Sequence, residues 1–101
     1  MTTTPVTLIN VMKVELGRQD ALIALLEDNI ENVIASLDGW RTTRLIAARD
    51  GASVIIYSEW DTPEAVAAMR TDPRMMAYFP RISAIATIDS TIGEAVFTAG
   101  R

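Results

Sequence analysis

Two residue types that carry much of enzyme chemistry, cysteine and histidine, are absent from this chain of 101 residues. Without cysteine, neither a disulfide framework nor a thiolate nucleophile is possible. Without histidine there is no imidazole base, and a metal site would have only oxygen ligands. We therefore expect neither thiolate nor imidazole chemistry and no nitrogen or sulfur metal ligand from these two residue types.

Positive charge is also scarce, because 9 lysines and arginines face 13 aspartates and glutamates, for a net charge of −4. Nucleic-acid binding needs a basic footprint, so we expect no nucleic-acid partner. No run approaches the ~18 to 20 apolar residues of a membrane span. The N-terminus lacks the basic region of a signal peptide. These features predict a cytoplasmic protein with no membrane partner.

Hydrophobic residues, in contrast, make up 50% of the chain. The length predicts a single domain over residues 1–101. The run Ser53–Trp60 is rich in β-branched and aromatic residues and predicts a strand. Asp50 and Gly51 before it form a hairpin signal, and Pro63 after it starts a helix. The centre of this strand is apolar on both faces, so both faces need a cover.

Periodicity and turn signals predict the remaining elements. They are a strand over Val6–Glu15, a helix over Gln19–Leu37, a strand over Trp40–Arg49, a short helix ending at Met69, a helical segment Arg74–Phe79 that Pro80 kinks or splits, a helical continuation over Arg81–Ala86 and a last strand Thr91–Thr98. The order βαββαβ predicts an α+β, ferredoxin-like antiparallel sheet with its helices on one face.

The second face of this sheet is predicted to carry four apolar side chains that the helices cannot reach: Ile9, Val11, Ile55 and Tyr57. Their removal from water favours association at ~25 cal/mol per Å². We therefore expect a homodimer in which a second sheet covers the first, the alternative being a monomer with a poorly covered sheet.

Several segments resemble the antibiotic biosynthesis monooxygenase family in the same order and spacing. They are Val6-Thr7-Leu8-Ile9-Asn10-Val11, Asp50-Gly51, Tyr57-Ser58-Glu59-Trp60, Pro63-Glu64-Ala65 and Asp72-Pro73. The resemblance implies a dimeric α/β barrel with a pocket between each sheet and its helices. The functions of the family differ: some members oxidise a phenolic ring of a polycyclic aromatic compound to a quinone with dioxygen and no cofactor, some degrade heme, and others have no assigned reaction.

The residues of this chain favour the first chemistry. Heme-degrading members use an asparagine that matches Asn10, a tryptophan whose position falls on Met69, and a histidine whose position lies near Tyr78. With no histidine, the usual axial ligand of the iron is missing. The quinone-forming members have a tryptophan that matches Trp60. Their other site residues fall on Ile56, Ile46 and near Val66 and Phe79, so most of that set is not conserved in type here.

Strand alternation predicts a site on the helix-facing side of the sheet. We expect Asn10, Trp60 and Tyr78 to be its catalytic residues. The substrate-binding residues would be Ile56, Ser58, Met69, Phe79 and Arg44. Four of them have a plainer interpretation: Trp60 as a core residue, Asn10 bonded to nearby backbone, Tyr78 as a surface or packing residue, and Arg44 solvated or paired with a carboxylate.

Three functions remain open at this point. The first is a cofactor-independent monooxygenase acting on a small phenolic or polycyclic aromatic substrate and dioxygen. The second is a non-oxidative, polyketide cyclase-like or ligand-binding dimer. The third is a structural or stress-related dimer with a filled pocket.

Overall fold

The computed structural model describes residues 5–101 and contains one four-stranded sheet with its helices on one side. The elements are β1 (Val6–Val14), α1 (Gln19–Asn32), a short 3₁₀ helix (Ile34–Ser36), β2 (Trp40–Ala47), β3 (Ser53–Trp60), α2 (Pro63–Thr71), α3 (Pro73–Ser83) and β4 (Ala86–Gly93). The strands lie in the order β2-β3-β1-β4, and every neighbouring pair is antiparallel. This confirms the predicted ferredoxin-like α+β fold.

The central pair, β1 and β3, sets which side chains face the helices. Asn10 lies opposite Ile56, and Leu8 lies opposite Ser58. Successive residues of β3 alternate between half-buried and buried, and the buried ones begin at Val54 and end at Trp60. The connection from β2 is longer than predicted, because β2 ends at Ala47 rather than at Arg49 and β3 begins at Ser53.

Helix α1 ends at Asn32, so the prediction of a helix to Leu37 was wrong in its last turn. The chain tightens there into the 3₁₀ helix, and Leu37 is extended. Two causes are visible in the sequence. Val33 and Ile34 are β-branched, which restricts their side chains in a helix. The Ser36 hydroxyl donates to the Val33 carbonyl at 2.7 Å and competes for backbone hydrogen bonds.

Helices α2 and α3 begin where the cap signals placed them. The Thr62 hydroxyl accepts from the Ala65 N–H, and the Asp72 carboxylate accepts from the Arg74 N–H. Pro80 lies inside α3, which runs without interruption to Ser83, so the predicted split was wrong, as was the continuation to residue 86. Proline leaves one carbonyl of the preceding turn without its helical donor. That carbonyl belongs to Met76, which is exposed and can be hydrated.

Strand β4 begins at Ala86, five residues before the predicted Thr91, and residues 94–101 form no regular structure. Its helix-facing residues alternate with polar ones and include Ile88 and Ile92. The pairing of Leu8 with Ile92 and of Val14 with Ala86 sets this register. Within residues 5–101, no helix combines the length and apolar character needed to cross a membrane.

No element within residues 5–101 covers the opposite face of the sheet. Ile9 and Ile46 are 37% and 41% exposed, while Val11, Ile55 and Tyr57 are half-buried. We call these five residues the outer face. The helices therefore cover one side of the sheet only, as the sequence predicted.

Candidate functional site

A cavity of about 540 Å³ lies between the sheet and the helices. Its walls come from all four strands on one side and from the three α-helices and the 3₁₀ helix on the other. Apolar side chains dominate these walls, with a few amides and hydroxyls among them. A volume of this size and a lining of this kind are typical of small-molecule sites.

Six of the eight site residues expected from the sequence line this cavity: Asn10, Ile56, Ser58, Trp60, Met69 and Phe79. The sheet residues arrive there because alternation turns every second side chain toward the helices. Met69 is in the last turn of α2, and Phe79 follows on α3. The cavity is therefore built from both halves of the fold.

Trp60 closes the end of β3 and is only 1% exposed. Its indole Nε1–H donates to Ser58 Oγ at 3.1 Å, and the Ser58 hydroxyl donates to the Leu8 carbonyl at 3.4 Å. The polar atom of Trp60 is thus already bound within the protein. What Trp60 adds to the cavity is the small accessible part of its apolar ring.

Asn10 lies in the middle of the sheet wall, opposite Ile56 on one side and Ser90 on the other. It is half-buried, and within residues 5–101 its side chain has no hydrogen-bond partner. A half-buried amide keeps a donor and an acceptor for a molecule in the cavity.

Tyr78 and Arg44 are not among the residues that line the cavity. The Tyr78 hydroxyl donates to the Asp28 carboxylate at 2.6 Å, and the Arg81 guanidinium lies 5.0 Å from its ring centre. The hydrogen bond to Asp28 raises the pKa of Tyr78, which keeps this phenol protonated. Arg44 is exposed and lies opposite Tyr57, one of the outer-face residues.

The sequence interpretation missed four polar lining residues: Asn29 on α1, Thr43 on β2, Arg70 on α2 and Ser90 on β4. Asn29 could have been found, because it lies three residues after Leu26 and four before Val33, within the apolar stripe of the helix. Arg70 gives no such signal, since the residue after Met69 has no distinctive pattern. Its guanidinium donates to Ser90 Oγ at 3.3 Å across the cavity edge.

The cavity holds little acid–base chemistry of its own. Among the described residues that line it, Arg70 alone carries a charge. An arginine stays protonated and cannot act as a general base. Residues 5–101 also contain no group of three or more acidic side chains placed to hold a metal ion. The walls can bind and orient a ligand and shield it from water. No side chain among them can take up a proton that the ligand loses.

Comparisons with known proteins agree with this architecture. The sequence model of the family described as antibiotic biosynthesis monooxygenase matches residues 5–81. No curated protein matches the chain in sequence. The fold is similar to that of SnoaB, described as a cofactor-independent oxygenase from Streptomyces nogalater, with a TM-score of 0.88, 17% identity, and coverage of 97% of this chain and 99% of SnoaB.

A second solved structure, Rv0793 from Mycobacterium tuberculosis, is similar with a TM-score of 0.81 and 22% identity. That match covers 96% of this chain and 100% of Rv0793. At such identities these two structures establish the shared fold and nothing further about chemistry.

Proposed function

The chain belongs to the antibiotic biosynthesis monooxygenase family, and we propose that it is a small monooxygenase without metal or organic cofactor that oxidises a phenolic or polycyclic aromatic compound to a quinone. The observation that carries this proposal is the apolar cavity of about 540 Å³ with the ring of Trp60 and the free amide of Asn10 in its sheet wall. A flat aromatic molecule suits such walls, because its apolar faces can pack against their apolar side chains.

The proposed reaction balances without an external reductant. The substrate is an anthrone, the tautomer of a phenol, whose methylene carbon loses a proton to solvent water to give a carbanion. Dioxygen takes four electrons from this substrate in total. One oxygen atom replaces the two hydrogens of the methylene carbon as a carbonyl, and the other oxygen leaves as water.

In this scheme the protein contributes position rather than acid–base chemistry. The ring of Trp60 packs against the flat substrate, and the Asn10 amide orients its oxygen or the incoming dioxygen. The largely apolar walls limit the access of bulk water to the carbanion. Tyr78 and Arg44 have no part in it, because neither lines the cavity.

Oxygen uptake with dithranol tests the proposal, since its quinone product is dantron. We expect enzyme-dependent uptake of one dioxygen for each dantron formed, with one atom of isotope-labelled dioxygen in the product. Asn10→Ala should lower the rate about tenfold or more, as expected when an orienting hydrogen bond is lost. Asn32→Ala is the matched control, because that amide is exposed on α1 and bonds to Asp28. Uptake no faster than spontaneous oxidation would contradict the proposal.

A second candidate is a non-oxidative ligand-binding or cyclase-like protein with the same cavity. The observation in its favour is the lack of a side-chain base among the described lining residues. The same assay separates the two, because a binding protein would retain dithranol without consuming oxygen.

We further propose that the working form is a homodimer in which the outer face of one sheet covers that of its twin. The support is the apolar character of this face and the presence of helices on the other side only. Covering such a surface with an identical one gives a closed two-fold assembly.

A further inference from the structure

Asn29 is a buried amide with an unusual environment. It is 2% exposed, lies on the inner side of α1 and lines the cavity together with Met75. Its Nδ2 donates to the Met75 sulfur at 3.1 Å. A thioether is a weak acceptor, so this bond returns little of the cost of burying an amide.

The other polar atom of this side chain, Oδ1, accepts no hydrogen bond from any residue within 5–101. Every side-chain nitrogen or oxygen in this range that is fully shielded from solvent does have a partner. Oδ1 is therefore not fully shielded, and Asn29 is one of the residues that line the cavity. An unpaired acceptor among apolar walls selects for a ligand that carries a donor at that point.

We propose that Asn29 is a specificity-determining residue that accepts a hydrogen bond from a hydroxyl group of the bound aromatic ligand. This inference rests on the proposed use of the cavity as an aromatic site. It narrows the substrate class to hydroxylated rings, in which one hydroxyl is not at the reacting carbon and stays protonated. A methyl ether or an unsubstituted ring at that point leaves Oδ1 without a donor.

Calorimetric binding of α-naphthol and of its methyl ether under argon tests the inference without any turnover. The wild-type protein should prefer α-naphthol, and Asn29→Leu should weaken its binding about tenfold, or about 1.4 kcal/mol. Binding of the methyl ether should change by less than about twofold. The thermal midpoint of Asn29→Leu should be unchanged or higher, because the amide it removes has only the thioether as partner.

Asn29→Ala and Asn32→Ala form a second, matched pair on the same helix, and only the first should lose the preference for the hydroxyl. Equal weakening of both ligands, no weakening of either, or no binding of either to the wild type would overturn the inference. Because no oxygen is present, a preserved hydroxyl preference together with no dithranol oxidation would reject the monooxygenase proposal alone.

Discussion

Ser58 shows how a single hydroxyl holds one end of the cavity wall. It accepts from the buried indole of Trp60 and donates to the carbonyl of Leu8 on the neighbouring strand. The tryptophan ring is therefore fixed by a hydrogen bond as well as by packing. Ser58 itself is buried, with 4% of its surface exposed.

We expect Ser58→Ala to lower the free energy of unfolding by about 1–3 kcal/mol, because it leaves the Trp60 N–H buried without an acceptor. Urea unfolding of the two single variants and of Ser58→Ala with Trp60→Phe measures this as a double-mutant cycle. The double variant should lose less than the sum of the single losses. Strict additivity would show that the two side chains are not coupled.

At the scale of residues, the sequence predicted the sheet wall of the site better than its helix wall. Strand alternation has a period of two, so it placed Asn10 and Trp60 on the correct face without knowledge of the fold. A helix has more positions near the edge of its buried face, and the angle at which the helix packs decides which of them face the site. Tyr78 was predicted to belong to the site but bonds to Asp28 instead. Asn29 lines the cavity but was not predicted, because it lies within the apolar stripe of α1.

Among the elements, α2 depends on Gly39, the residue directly before β2. Gly39 has a φ of +84°, and a Cβ at this position would lie 2.6 Å from the Cβ of Ala65. Its carbonyl also accepts from the Asp61 N–H at 2.7 Å. The close approach lets α2 pack beside the start of β2, and α2 carries Met69 and Arg70 to the cavity.

Gly39→Ala should destabilise the fold by about 1–3 kcal/mol more than Gly17→Ala in the same unfolding experiment. Both glycines have a positive φ, of +84° and +86°, but a Cβ on Gly17 meets no atom within 4 Å. The difference between the variants isolates the contact with Ala65 from the backbone strain. Equal losses would contradict the proposed close packing.

Helix α3 contains a charge-dependent cap at Asp72. The side-chain hydrogen bond from Arg74 lowers the pKa of Asp72 below its usual 3.8. Because the folded pKa is below the unfolded one, the resulting stability is present above the unfolded pKa and is lost as the pH falls through the folded pKa. Asparagine also caps helices, so Asp72→Asn removes the charge and keeps the cap.

The stability advantage of the wild type over Asp72→Asn should therefore shrink as the pH falls from about 5 to about 2, and be constant above about pH 5. Urea unfolding at a series of pH values measures it. An advantage that stays the same down to the lowest pH would show that the carboxylate is not stabilised in the folded state.

The misplaced last strand shows why element boundaries were harder to predict than the topology. Order and type followed from caps and periodicity, but β4 is an edge strand whose helix-facing isoleucines alternate with polar residues. Its position depends on pairing with β1, which is a long-range contact. The predicted strand included the more hydrophobic run Ala95-Val96-Phe97. In the structure these three residues are exposed and lie outside the sheet.

At the scale of the whole molecule, the outer face of the sheet is not covered by any element of residues 5–101. A homodimer through this face would bury Ile46, which is 41% exposed. Ile46→Asp would then place a charge in a buried contact, which is unfavourable without a partner. We expect it to raise the dimer dissociation constant by about a hundredfold or more in analytical ultracentrifugation.

Met76→Asp is the matched control, because Met76 is also apolar and exposed, at 56%, but lies on α3, away from the sheet. It should leave the dimer intact. A wild-type protein that sediments as a monomer at micromolar concentration would reject the assembly.

The central claim, that the cavity binds an aromatic ligand, is tested most directly by methionine methyl NMR with added dantron. Met12, Met69 and Met75 line the cavity, whereas Met76 is exposed and does not. The account predicts shift changes and ligand contacts at the first three methyl groups and none at Met76. Changes confined to Met76, or no change at saturating dantron, would contradict it.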